Sequence, residues 1–248
     1  MNYGEIIELG THRLMCGDAT DREDVMRLID NEHVNLVLTD PPYGIKIQHK
    51  DGTIGGGGSG SFTTQRIMYG RSRVKPQYSA PFAGDETTDS ARKHYAIVKD
   101  LTSKLIIWGR NYFTEFLPPH GGWIFWDKQR PSGLDFGMGE LAYNTCERVI
   151  RKYEQKSNGA ILQGNRALNP IPRLHPTQKP VELHMKILED FTKQNDIILD
   201  CFGGSGTTLI ACEMTGRKCL MMEISPEYCS IIIERYNALK NEYPLNFR

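Results

Sequence analysis

Asp40-Pro41-Pro42-Tyr43 puts a carboxylate, a carbonyl and an aromatic ring into four consecutive residues. The run before it, Leu36-Val37-Leu38, is short and apolar and reads as a buried strand. Prolines lack the donor that a sheet ladder needs, so the backbone must leave the sheet at Asp40 in a stiff turn. Acid, carbonyl and ring together suit a planar amine held flat against an aromatic face. The plainer alternative is a strand followed by a rigid turn, with Tyr43 as packing.

A second group of residues lies about 160 positions later. Asp196-Ile197-Ile198-Leu199-Asp200 reads as a strand that enters the turn Cys201-Phe202-Gly203-Gly204-Ser205-Gly206, followed by a helix from Thr207 to about Met214. Glycines there let a ligand approach the backbone at the helix N-terminus. A phosphate-binding loop would need a lysine after Gly206, where Thr207 stands. The dinucleotide fingerprint would need a small residue in place of Leu209. The next strand, Lys218–Met222, ends at Glu223, where nucleoside-binding sheets hold ribose hydroxyls with an acid. Strand-Asp, glycine turn, helix and strand-Glu therefore describe a nucleoside site whose ligand need not carry phosphates.

Two shorter stretches carry polar groups at similar junctions. Gly17-Asp18-Ala19 follows the apolar run Leu14-Met15-Cys16, so Asp18 is either a turn aspartate or a site residue. In His175-Pro176-Thr177-Gln178-Lys179-Pro180, Pro180 suits the first position of a helix with Val181, Leu183, Ile187 and Leu188 on its apolar face. Lys179, just ahead of that helix, either addresses a carboxylate or lies exposed on the surface.

The elements that must position these groups alternate along the chain. Ile6–Leu9 and Arg13–Cys16 flank a Gly10-Thr11 turn and predict a hairpin, and Thr20 or Asp21 caps a helix through Ile29. A helix over Ala91–Leu101 is followed by strands at Lys104–Trp108 and Gly122–Asp127, with a short helix near Tyr112–Phe116 between them. Glu140–Tyr143 and Glu147–Tyr153 read as further strands, antiparallel at one edge, and Ser225-Pro226-Glu227 opens a last helix. Apolar strands alternating with helices predict a doubly wound α/β sheet. Residues 46–90, with the run Gly55-Gly56-Gly57-Gly58, show almost no periodicity and read as a flexible basic insertion, either a loop that closes over a polyanionic substrate or a plain insertion.

The 248 residues suffice for one substantial domain, 39% apolar and 24% charged. Thirty basic and thirty acidic residues cancel, so net charge points to no polyanionic partner. Locally it does. Lys46, Lys50, Arg66, Arg71, Arg73 and Lys75 face a single acid, Asp51, within one stretch. Between residues 146 and 180, seven basic residues, among them Arg151, Lys152 and Arg166, stand against two acids. Such segments suit a phosphate backbone. The six cysteines form no C-x-x-C pair, and neither a disulfide framework nor a metal site is expected. No leader or membrane-length apolar run is present, which points to the cytoplasm and away from a membrane.

Taken together, the motifs resemble the S-adenosylmethionine-dependent amino-methyltransferases of DNA. Asp40-Pro41-Pro42-Tyr43 looks like their catalytic motif and Phe202-Gly203-Gly204-Ser205-Gly206 like their cofactor loop. Asp18, Ala19, Asp40, Thr177, Lys179, Asp200, Thr207 and Glu223 fall where that family places cofactor contacts. The resemblance implies a single domain over residues 1–248, a Rossmann-like seven-stranded sheet, circularly permuted in the beta-group order, and a target-recognition region near residues 129–173. It also implies a double-stranded DNA substrate whose target base is flipped out and stacked on Tyr43. Asp40 rather than serine favours adenine N6; cytosine N4, RNA and protein amides are the alternatives, as is a non-catalytic binding module of the same fold. Short recognition segments suit a short target sequence or a homodimer, and the resemblance leaves open a cognate restriction enzyme or an orphan enzyme.

Overall fold

The computed structural model describes the chain except residues 46–84, 131–136, 159–160, 163–167, 169–173, 176 and 243–248. It opens with a hairpin, β1 (Ile6–Leu9) and β2 (His12–Cys16), and helix α1 (Arg22–Ile29). Asp21 caps α1, its carboxylate accepting the Glu23 N–H at 2.8 Å. There follow β3 (Leu36–Thr39), α2 (Asp89–Val98), β4 (Leu105–Trp108) and a 3-10 turn at Arg110–Tyr112. The middle of the chain gives β5 (Trp123–Asp127), β6 (Gly139–Asn144), β7 (Ile150–Glu154) and the small pair β8 (Ser157–Asn158) and β9 (Ile161–Leu162). The last third is α3 (Val181–Phe191), β10 (Ile197–Asp200), α4 (Thr207–Thr215), β11 (Lys218–Glu223) and α5 (Pro226–Glu242).

Nine of these strands form one sheet in the order β1-β2-β11-β10-β3-β4-β6-β5-β7. The α/β class expected from the sequence holds, but the described sheet has nine strands, not seven. The opening hairpin is the reason: β2 pairs in parallel with β11, so both hairpin strands join the main sheet. Strands β2, β11, β10, β3 and β4 run parallel to one another. Beyond them β6 is antiparallel to both β4 and β5, while β7 is parallel to β5. Part of the segment expected to read the target, β6 and β7, thus lies in the sheet.

Parallel strands covered on both faces must be apolar throughout. Accordingly β3 and β4 are buried at every position. Alternate side chains enter two cores. Leu36, Leu38, Ile198 and Met221 pack with α3, α4 and α5, whereas Val37, Leu199 and Met222 pack with α1 and α2. Pro180 sits one place earlier than expected, as the cap of α3, with φ −64° and ψ 137°. Among the described residues no helix is long and apolar enough to cross a membrane, and no group of His, Cys, Asp and Glu could hold a metal ion.

Candidate active site

Because the five central strands are adjacent and parallel, their carboxyl ends open on one edge of the sheet, where ligands of such sheets bind. Asp200 and Glu223 are the last residues of β10 and β11, Asp40 follows β3, and Asp18 lies two residues beyond β2. Thr39 donates from Oγ1 to Oδ1 of Asp200 at 2.9 Å, joining the two turns directly. Around this corner is a cavity of about 230 Å³.

Asp200 organises the glycine turn. Its carboxylate also accepts the Thr208 hydroxyl at 2.6 Å and the Phe202 N–H at 3.1 Å. Burial pushes its pKa up to about 6 against the pull of those donors. Gly206 caps α4 at φ 83°, a left-handed conformation that glycine adopts without steric cost. Glu223 accepts the Gly204 N–H at 2.7 Å and the Ser225 N–H at 2.9 Å, so the acid that closes β11 also pins the turn. Burial raises Glu223 to about 7 despite these bonds. At the far end of the cavity Ala19 offers its carbonyl to Nδ1 of buried His94 at 3.0 Å, and that ring stands edge-on to Phe202.

Asp40 sits in a compact cluster of charges. Its Oδ1 accepts the Tyr43 hydroxyl at 2.6 Å and its Oδ2 accepts from the Lys179 ammonium. Lys179, 4% exposed, also lies 3.2 Å from Oε2 of Glu140 and 5.0 Å from the centre of the Trp108 ring. Oε1 of Glu140 in turn takes Lys128 at 2.5 Å. Burial raises the Asp40 pKa, with Lys179 opposing it and Glu140 adding to it. Burial also works to raise Glu140, but Lys179 and Lys128 overcome it and hold that acid down at about 2. For Lys179 burial is likewise outweighed, here by Asp40 and Glu140, and its pKa is raised.

The structure brings most of the expected residues together. Asp18, Ala19, Asp40, Thr177, Lys179 and Asp200 line the cavity, and so do Phe202, Gly203, Gly204, Ser205, Thr207 and Glu223. Gly206 stands behind the wall as the helix cap. Pro41 and Tyr43 line a smaller hollow on the other side of Asp40. One face of the Tyr43 ring is stacked on Tyr112, centroids 5.0 Å apart. Arg151 and Lys152 lie apart from the cavity on the edge strand β7, paired with Glu147 at 2.6 Å and with Asp127 and Glu154 at 2.9 and 2.7 Å. Lys46, Lys50, Arg66, Arg71, Arg73 and Arg166 lie outside the described residues.

Several site residues were missed in the sequence. Glu140 reads there only as the start of a strand, and Lys128 only follows the strand Gly122–Asp127. Gly109 adopts φ 86°, and a Cβ on it would lie 2.4 Å from Cε1 of Tyr43, so only glycine leaves room for that ring. Gln178 lines the cavity while 4% exposed, and its Nε2 has no hydrogen-bond partner among the described residues. A buried amide N–H without an acceptor is costly, and a bound acceptor would relieve it. An acid at one end, a ring beside it, and a buried ammonium and amide at the other suit a nucleoside with a zwitterionic tail.

The comparisons with known proteins point the same way. Residues 123–234 match the DNA methylase family, N6/N4 type. That match bears out the resemblance read from the motifs. Over 255 aligned residues the chain is 23% identical to the type II methyltransferase M.HpaI of Haemophilus parainfluenzae, covering 93% of this chain and 76% of the relative. Among solved structures the fold is similar to that of M1.HpyAVI in complex with SAM, with a TM-score of 0.53 and 19% identity over 90% of this chain and 97% of that one. It is also similar to the cytosine-N4-specific PvuII DNA methyltransferase, with a TM-score of 0.57 and 15% identity over 98% of each chain.

Proposed function

We propose that this chain transfers a methyl group from S-adenosylmethionine to the N6 amine of an adenine flipped out of double-stranded DNA. The observation that carries the reading is the shared corner: the Asp40 turn and the glycine turn border one cavity, joined by the Thr39–Asp200 hydrogen bond. Asp40 at the head of its motif favours adenine over cytosine. The fold shared with the cytosine-specific PvuII enzyme keeps cytosine N4 as the second reading.

In this reading Glu223 holds the ribose hydroxyls, Asp18, Ala19 and Phe202 border the adenine end, and Asp200, Thr177, Lys179 and the turn Gly203–Thr207 surround the methionine end. The bound cofactor supplies a methyl group already activated on a sulfonium. An exocyclic amine conjugated to its ring is a poor nucleophile, so the work left to the protein is alignment and electrostatics. The Asp40 carboxylate and the Pro41 carbonyl accept the two amine N–H groups, which favours a more tetrahedral nitrogen with an available lone pair. Pro42 stiffens that turn, and Tyr43 offers its ring to the extruded base.

The whole chain acts as one methyltransferase domain in the permuted motif order. Residues 129–173 read the target, and Lys46, Lys50, Arg66, Arg71, Arg73 and Arg166 approach the phosphate backbone, whereas Arg151 and Lys152, already paired with Glu147, Asp127 and Glu154, add little to it. A cytoplasmic setting, a homodimer and a cognate restriction enzyme fit this role. The test is transfer of tritiated methyl to duplex DNA, with the modified base identified by mass spectrometry and its position by sequencing. N6-methyladenine at a defined site is the expected product. N4-methylcytosine would move the assignment to the second reading, and label on RNA or protein alone would overturn both.

A further inference from the structure

Asp40 has a problem that the proposed chemistry must solve. Both of its oxygens already have a donor, Tyr43 on Oδ1 and Lys179 on Oδ2. A carboxylate with an ammonium against it is a weak base and a poor acceptor for a neutral amine. Glu140 is placed to solve it. Its carboxylate bridges two lysines, Lys128 through Oε1 at 2.5 Å and Lys179 through Oε2 at 3.2 Å, and the Tyr43 hydroxyl lies 3.5 Å from Oε2. Lys128 is also held at its other side, 4.8 Å from the centre of the Trp126 ring. Strand β6 carries Glu140 and pairs with both β4 and β5, so the acid at the centre of the bridge is held by the sheet.

We propose that Glu140 is a positioning residue for Asp40: by sharing the Lys179 ammonium it leaves the Asp40 carboxylate able to accept the N–H of the incoming amine and, after transfer, its proton. The inference rests on the methyl-transfer reading of the site. In that step the nitrogen lone pair forms the new N–C bond and the electron pair of the broken C–S bond stays on sulfur. The methylated nitrogen then sheds one proton to Asp40, which returns it to solvent. The two lysines and two carboxylates of the cluster sum to no net charge, so Asp40 can take up that proton while Glu140 stays ionised as the counter-ion of both lysines. The opposite directions of the two acids agree with this division of labour, since environments that push two carboxyls apart assign them different roles.

Other charges reach Asp40 as well. Tyr43 faces it from its own turn, Lys179 from ahead of α3, Glu140 from β6, and Asp200 from β10. Lys128, the residue after β5, acts on it through Glu140, Arg130 is a further cation felt by Glu140 and Lys128, and Lys179 in turn acts on the buried rings of His175 and His184. Both rings have pKa values lowered to about 3, so they stay neutral across the working range. Removing Glu140 therefore leaves Lys179 with Asp40 as its remaining carboxylate among these groups.

The test compares Glu140→Gln and Glu140→Asp with the wild-type protein by three measurements. The Asp40 carboxyl is titrated by carbon-13 NMR in the cofactor-free protein, cofactor affinity is measured by calorimetry, and kcat and KM are followed against pH. In Glu140→Gln the Asp40 titration and the acid limb of kcat should both move down by about one pH unit. Its kcat should fall about 10- to 100-fold, with KM and cofactor affinity within about threefold of wild type. Glu140→Asp should recover part of the kcat and part of the titration shift. An unmoved Asp40 titration overturns the proposal, whether kcat is kept or lost, since a loss alone would mean only that β6 packs less well. If the wild-type protein transfers no methyl to nucleic acid, the methyl-transfer reading fails instead, and the NMR titration still decides whether Glu140 governs Asp40.

Discussion

Thr39 and Asp200 stand 161 positions apart in the chain, yet the hydroxyl of one donates to the carboxylate of the other at 2.9 Å. Strands β3 and β10 are parallel neighbours, so both stop at the same edge and bring their turns to one corner. The carboxylate that would receive the target amine and the loop that would present the methyl donor are thereby fixed to one another through the sheet.

Replacing Asp40 with alanine should lower methyl transfer by at least about 10²-fold, the scale on which a single preorganised polar group at a reacting centre acts. Cofactor affinity, read by calorimetry, should stay within about threefold, because the turn is organised by Asp200 and Glu223. Turnover close to wild type would remove Asp40 from the chemistry.

Glu223 should make cofactor affinity depend on pH. Its raised pKa of about 7 means that the empty folded protein prefers the protonated acid. The stability it contributes is full below the ordinary carboxylate value of 4.5 and is lost as pH rises through about 7. Ribose hydroxyls donate best to the ionised form, so affinity should climb about tenfold between pH about 6 and about 8. Glu223→Gln should bind more weakly and show a flat profile; a slope kept in that variant would assign the titration to another group.

Gly109→Ala tests the support behind Tyr43. The added methyl would meet the ring at 2.4 Å on a backbone at φ 86°, so ring and backbone must both shift. A cost of about 1–3 kcal/mol follows, and a fall of several degrees in thermal midpoint. Methyl transfer should fall further than cofactor affinity, since Tyr43 borders the base side of Asp40. Equal losses in both would mean that the damage is global.

The two basic residues of β7 offer a measurement of a different kind. Lys152 is paired with Asp127 and Glu154, and Arg151 with Glu147, so much of their charge is already matched. Lys152→Ala should weaken DNA binding by no more than about threefold and change the salt slope by less than one. A slope reduced by a full unit would make Lys152 a direct phosphate contact.

Much of the frame was readable because parallel strands buried on both sides leave uninterrupted apolar runs, as in Leu36–Leu38 and Ile197–Leu199, ending in chemically distinctive residues. The acids at those ends marked the site, and a single parallel block of strands was enough to gather them. What stayed hidden depended on contacts across long separations. Nothing in Gly139–Asn144 indicates that Glu140 faces Lys179, because that follows from β6 lying between β4 and β5. Nor does the pattern of a local hairpin reveal that its second strand finds a parallel partner near the other end of the chain. Gly109, one place beyond the strand expected at Lys104–Trp108, carries no local sign that the Tyr43 ring packs against it.

The pairing of β2 with β11 has a consequence for how the molecule is made. His12 accepts the backbone N–H of Cys219, 207 positions later, at 3.0 Å, and Gly17 reaches the Glu223 carbonyl at 3.1 Å. On the ribosome β2 has β1 beside it early but must wait for β11, 207 positions on from His12 to Cys219, before it gains its parallel partner, while β3 and the amine-holding turn are already outside. Contacts of such range are slow to close, so assembly of the nucleoside pocket should be the late, chaperone-sensitive event in biogenesis.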